Sequence, residues 1–298
     1  MELLRALGSL IEPPSHEHSR VAAAIGLPLP PGPSVHGTVV AFQRYPYASV
    51  YLGPEGMMGG EARDRVAGFR RALGVDAETD EDHLASLLAL LAALDGWQRE
   101  ELAEARRVLL AQARVTLVWE HVASWLGPYL ASFDGCGDAF YEAWADLLGE
   151  AMDEVTGEME LPRYLPAVLR EAPGLADPRH EGGGAFLAGL LAPVRAGAII
   201  LRDDLVRLGD EVGLACRAGE RRYVLRSFFA QDPAGTLRWL AGHARGWSER
   251  VAGRGPEPIA RWWSGRACES ARLLAGLAEG AVDEGVDEGV AAAGGTGQ

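Results

Sequence analysis

The sequence contains no lysine; all 28 of its basic residues are arginine. Against them stand 42 acidic residues, for a formal charge of -14. So acidic a chain would repel phosphates, which argues against a nucleic-acid partner and is compatible with a cationic peptide or protein. Cysteine is scarce. Cys136, Cys216 and Cys268 are odd in number and far apart, which excludes a disulfide framework or a cysteine zinc site and points to a reducing compartment. Long apolar runs are missing too, since LASLLALLAAL is too short to span a bilayer. The N-terminal ELLRALGSLI lacks a basic start and a cleavage site, so it does not read as a secretory signal. The expectation is a soluble cytoplasmic protein with no integral membrane segment.

Motifs of bond-making chemistry are also missing. GPEGMMGG lacks the Gly-Lys-Ser/Thr end of a phosphate loop, and no GxSxG or Cys/His pairing occurs. His16-Glu17-His18 reads as a Pro-rich surface turn rather than a metal site. No catalytic residue, metal or cofactor is therefore assigned.

What is present is helical periodicity. At 298 residues and 48% hydrophobic composition, the chain can bury a sizeable core. Helices are expected over 2–11 and 18–25, split by Pro13-Pro14. Another follows in EARDRVAGFRRALG, ended by Gly74. Asp82 is placed as N-cap of a helix from His83 to Leu94, broken by Gly96. The pattern is helical again from Gln98 to Trp125, and Asp138 caps a helix through about Val155. β-Alternation is absent, with GTVVAF the one β-rich patch. The fold class is all-α, a helical bundle with an additional C-terminal helical segment. The boundaries are a core over 1–170, a linker or mobile loop over 171–184, a helical extension over 185–278 and a disordered tail over 279–298. Within the extension, helices are expected over 199–212, 219–230 and 233–251, with a last one over 259–277.

The stretch from Tyr45 to Leu94 carries the candidate site. An aromatic, Met-rich loop, YPYASVYLGPEGMMGG, precedes the acidic run DAETDEDH and an apolar helix. Tyr47, Tyr51, Met57 and Met58 offer flat and deformable apolar surface. Asp80, Glu81 and Asp82 offer carboxylates, which arginine binds through forked hydrogen bonds. A second acidic window, residues 132–160, has nine acids and no base. The combination suits an apolar peptide bearing arginines. The rival reading is ordinary structure, with solvated acidic faces, Asp82 as a plain N-cap and the loop packed on the bundle.

Three segments, YPYASVYLGPEGMMGGEARDRVAGFRRALG, DEDHLASLLALLAAL and WEHVASWLGPYLASFDGCGDAFYEAWADLL, resemble the TorD/DmsD/NarJ group of redox-enzyme maturation chaperones. They cover about residues 40–155 in the family's order. The resemblance implies an all-helical fold. It also implies binding of the twin-arginine signal peptide, or the apoprotein, of a molybdopterin oxidoreductase catalytic subunit until its cofactor is inserted. The family's Asp-His pair falls on Asp82 and His83, and its Ser-Val-aromatic loop on Ser49, Val50 and Tyr51. Where the family places a glutamate, this chain has Thr79, with Glu78 one step earlier. The peptide-binding set is therefore Tyr47, Ser49, Tyr51, Leu52, Met57, Asp80, Glu81, Asp82, His83, Leu87 and Trp125, in a monomer or dimer.

Two alternatives stay open. LRDDLVRLGDEVGL followed by AGERRYVLRSFF faintly resembles a helix-turn-helix, with Arg217, Arg221, Arg222 and Arg226 as its basic face, which would make the protein a regulator binding DNA or a partner. A nucleotide hydrolase is the other, disfavoured by the missing phosphate loop.

Overall fold

The computed structural model describes residues 1–76 and 80–293, with side chains as far as Ala281. Glu78, Thr79 and residues 294–298 of the expected tail lie outside the described residues. The fold is all-α. The chain divides into two compact units, Met1–Pro173 with Arg250–Trp262, and Gly174–Glu249 with Trp263–Gln298. The first break falls inside the stretch read as a linker. Nothing in the residue pattern announces the return of residues 250–262 to the first unit.

In the first unit the leading helices are α1 (Glu2–Ser9), α2 (His16–Ala24), α3 (Ala48–Leu52) and α4 (Gly60–Ala72). Then follow α5 (Leu84–Glu100), α6 (Glu104–Thr116), α7 (Ser124–Ala131) and α8 (Ala139–Gly157). α5 is the central helix. Leu84, Leu87, Leu88, Leu90, Leu91 and Leu94 are all buried, because an apolar run without a polar face must be covered all round. α1 packs on α5 and α8. A Cβ at Gly8 would lie 3.3 Å from both Ala85 and Leu88, so that helix pair approaches closely through glycine. The Trp144 indole donates to the Leu7 carbonyl at 2.9 Å and pins α1 to α8.

Two expectations need correction. Gly96 does not break α5, which runs on to Glu100. The Asp95–Arg99 ion pair at 2.8 Å spans it, and Arg114 of α6 also reaches Asp95 at 3.3 Å, offsetting a glycine cost of about 1 kcal/mol. Within the β-rich patch GTVVAF, Gly37–Ala41 forms a π-helical turn with Val39 and Val40 buried, in keeping with the all-α expectation. The buried Arg44 holds it, donating to the carbonyls of Val39 and Ser132, both at 2.8 Å. Residues 98–125 are not one helix either. α5 ends at Glu100, α6 follows, and a π segment over Leu117–Ala123 leads into α7. Asp138 does cap α8, accepting from the amides of Phe140 and Tyr141 at 3.1 Å.

The second unit contains α9 (Gly183–Leu190), α10 (Arg202–Val212) and α11 (Arg221–Gln231), together with most of α12 (Pro233–Val251) and α13 (Glu257–Ala293). α11 packs against α9 and α10. Asp204 caps α10 by accepting from the Leu201 amide at 2.7 Å. Gly197 has φ +69°, and a Cβ there would meet the Ala267 backbone at 2.2 Å, so only glycine lets that turn press on α13. α13 continues past Leu277, where the sequence reading ends it.

Candidate functional site

Two short backbone segments meet at a corner in the first unit. The Ala48 amide donates to the Asp82 carbonyl at 3.0 Å, and the Leu84 amide to the Pro46 carbonyl at 2.8 Å. Tyr47 and His83 are thereby paired in an isolated antiparallel bridge. This fixes the Asp82 side chain over the start of α3, where its carboxylate accepts from the Ser49 amide at 2.9 Å. A first-turn amide has no partner within its own helix, so a carboxylate there is structurally valuable. Ser49 in turn accepts from the Gly59 amide at 3.1 Å and ties down the loop that carries Met57 and Met58. Gly53 within that loop has to be glycine, because a Cβ would sit 2.6 Å from the Ser49 carbonyl oxygen.

The N-cap of α5 is His83, one residue later than the sequence suggests. Its Nδ1 accepts from the Ala85 amide at 3.2 Å. The neutral ring then carries its proton on Nε2. Burial lowers the His83 pKa, against the charges of Glu12, Asp80 and Asp82, which pull it upward. The Tyr47 ring stands edge-on to His83, with centroids 4.8 Å apart, and its hydroxyl donates to Asp80 at 3.4 Å. Burial, then Asp80, raises the Tyr47 pKa.

The predicted residues separate into two groups. Met57 is 66% exposed, Asp80 is exposed, and Tyr47 and His83 are partly covered. Ser49, Tyr51, Leu52, Glu81, Asp82, Leu87 and Trp125 are buried. Tyr51 stacks on Trp125 at 5.1 Å and 14°, and both contact Tyr129, so these rings form core rather than a receiving surface. As folded, Asp82 is 2% exposed and already engaged.

The first unit also has a recess of about 290 Å³, and none of the corner residues lines it. Its apolar wall is Leu126, Leu130 and Met152, from α7 and α8. Asp146, Glu150 and Asp153, at spacings of four and three, line it from one face of α8. The turn 253–256 closes one side. That turn crosses α7 at Gly127, where a Cβ would meet the Arg254 carbonyl oxygen at 2.8 Å. Arg254 bonds Asp134 at 2.6 Å and lies 3.7 Å from Asp146. Partial burial raises the Asp153 and Asp134 pKa values, for Asp134 against the pull of Arg254 and Arg250. Sequence reasoning marked the acidic window but missed Leu126, Gly127 and Arg254. The signal available for Leu126 and Gly127 was the Gly127-Pro128 pair inside an apolar helix, and no signal marked Arg254.

Of the basic face considered for nucleic acid, Arg221 donates to the Ile200 carbonyl at 2.8 Å and Arg217 to the Tyr223 hydroxyl at 3.3 Å. Among the described residues no group of three or more His, Cys, Asp or Glu is arranged to hold a metal, and no helix is long and apolar enough to cross a membrane.

Residues 43–131 match the family model described as nitrate reductase delta subunit, a family that belongs to the TorD/DmsD/NarJ group of redox-enzyme maturation chaperones. The match spans the corner, α3 to α6 and α7. No curated protein matches the chain.

Proposed function

We propose, starting from the chaperone family that residues 43–131 match, that this protein is a cytoplasmic, non-catalytic assembly chaperone for a molybdopterin-containing oxidoreductase. It binds the twin-arginine leader or an equivalent apolar, arginine-bearing segment of the catalytic subunit and holds it during cofactor insertion. One observation carries the reading. The recess between α7 and α8 combines an apolar wall with three carboxylates on one helix face, of which, among the described residues, only Asp146 lies within 4 Å of an arginine. A client arginine would bind Glu150 and Asp153 through charge-assisted hydrogen bonds, and the leader's apolar residues would cover Leu126, Leu130 and Met152.

The exposed Met57 and Met58 favour a second contact at the corner. There Tyr47, Asp80 and His83 are the groups within reach of a client. Asp82 and Tyr51 support that corner from within.

Calorimetry with a twin-arginine leader peptide and its twin-lysine variant tests the reading. Saturable binding that favours arginine is the expected result. Equal affinity for both peptides, or none for either, counts against it.

A further inference from the structure

The second unit carries a solvent-open cavity of about 400 Å³ that the chaperone reading does not use. Phe186, Leu187, Phe229, Leu237 and Leu277 make it apolar. Phe186 and Phe229 meet edge to face at 5.9 Å and give the wall a fixed shape. In a chain of formal charge -14, no carboxylate among the described residues lines this cavity. Its charged lining is Arg179 and Arg226. Arg179 is occupied, with its guanidinium on both oxygens of Asp177 at 2.9 and 2.6 Å. Arg226 is exposed and has no hydrogen-bond or ion-pair partner among the described residues.

A cavity of this size lies in the range that takes a small molecule rather than a protein segment. Its apolar walls select an apolar body, and an unpaired guanidinium on the lining selects an anionic head. We propose that the cavity binds a small amphipathic anion, an apolar chain or ring system of roughly ten carbons ending in one carboxylate, with the carboxylate on Arg226. The charge sign opposes that of the acid-lined recess in the first unit, so the ligand class is distinct from an arginine-bearing leader.

The test is calorimetric titration of the full chain with decanoate and with decanol. One saturable site for decanoate is expected, with decanol binding about tenfold more weakly. Arg226→Gln alters an exposed side chain and should abolish that difference. Gly276→Leu is the second variant. A Cβ at Gly276 meets nothing within 4 Å, so leucine is accommodated, fills the cavity and should remove decanoate binding with folding intact. Phosphatidylglycerol vesicles test a bilayer source of the same chemistry. Decanoate binding without vesicle binding supports the free acid, and vesicle binding lost in Arg226→Gln overturns it. No saturable decanoate binding, equal affinity for decanol, or full affinity in both variants also overturns the proposal.

Discussion

Asp82 and Ser49 are joined across 33 positions of sequence by one hydrogen bond, carboxylate to amide, at 2.9 Å. The bond couples the start of α5 to the start of α3 in a nearly water-free setting. Asp82→Ala should therefore destabilise the fold by about 1–2 kcal/mol, because the Ser49 amide loses its acceptor. Asp82→Asn, which keeps an acceptor oxygen, should cost less. Urea unfolding of the three proteins checks the order. Leader binding by Asp82→Asn should match that of the parent wherever both are folded, and a tenfold loss at unchanged stability would put Asp82 in the contact itself.

The recess carboxylates should behave in the opposite way. Glu150→Gln and Asp153→Asn alter exposed groups, so stability should stay within about 0.5 kcal/mol. Affinity for a twin-arginine peptide should fall several-fold in each. Raising the salt concentration should weaken the parent more than the double variant, since part of the attraction is Coulombic. Titration calorimetry at two ionic strengths reads both effects.

Acid should loosen the first unit through histidine. Burial, helped by Arg65, lowers the His121 pKa from 6.5 to about 4, and the ring packs 5.1 Å from Phe69. The folded protein thus keeps this ring neutral, whereas the unfolded chain takes up a proton more readily. Its contribution is whole above pH 6.5 and is lost as pH falls from there towards about 4, up to about 3 kcal/mol. His83 shifts in the same direction. Denaturation midpoints followed from pH 7 to pH 4 should decline less steeply in His121→Gln than in the parent.

Tyr51 is the largest side chain that α3 buries. Tyr51→Ala would empty the space against Trp125 and Tyr129 and should cost about 3–5 kcal/mol, seen as a lowered thermal midpoint. Leader affinity should fall with it, because Trp125 adjoins Leu126 of the recess wall.

The helices were legible because their apolar residues recur at helical spacing, and α8 could be placed from Asp138 and its aromatic face alone. GTVVAF was not legible. β-Branched residues favour strands locally, but the donors that hold this turn belong to Arg44, whose role depends on tertiary position. The break expected at Gly96 failed for a related reason, since Arg99 and Arg114 converge on Asp95 from two helices. At the site, Asp82 was read as the cap of the helix that follows it, a place the structure gives to His83. Its carboxylate instead accepts from the Ser49 amide in the helix beginning at Ala48, and local sequence carries no trace of that partner. The recess was the least visible feature, because one of its sides comes from residues 253–256.

That late contribution has a consequence for synthesis. As the polypeptide leaves the ribosome, α7 and α8 emerge long before the turn that crosses Gly127. Until Arg254 arrives, Asp134 lacks that ion pair and one side of the recess stands open. A nascent chain therefore cannot present the finished recess until residues 253–256 have been translated, about a hundred positions after α8.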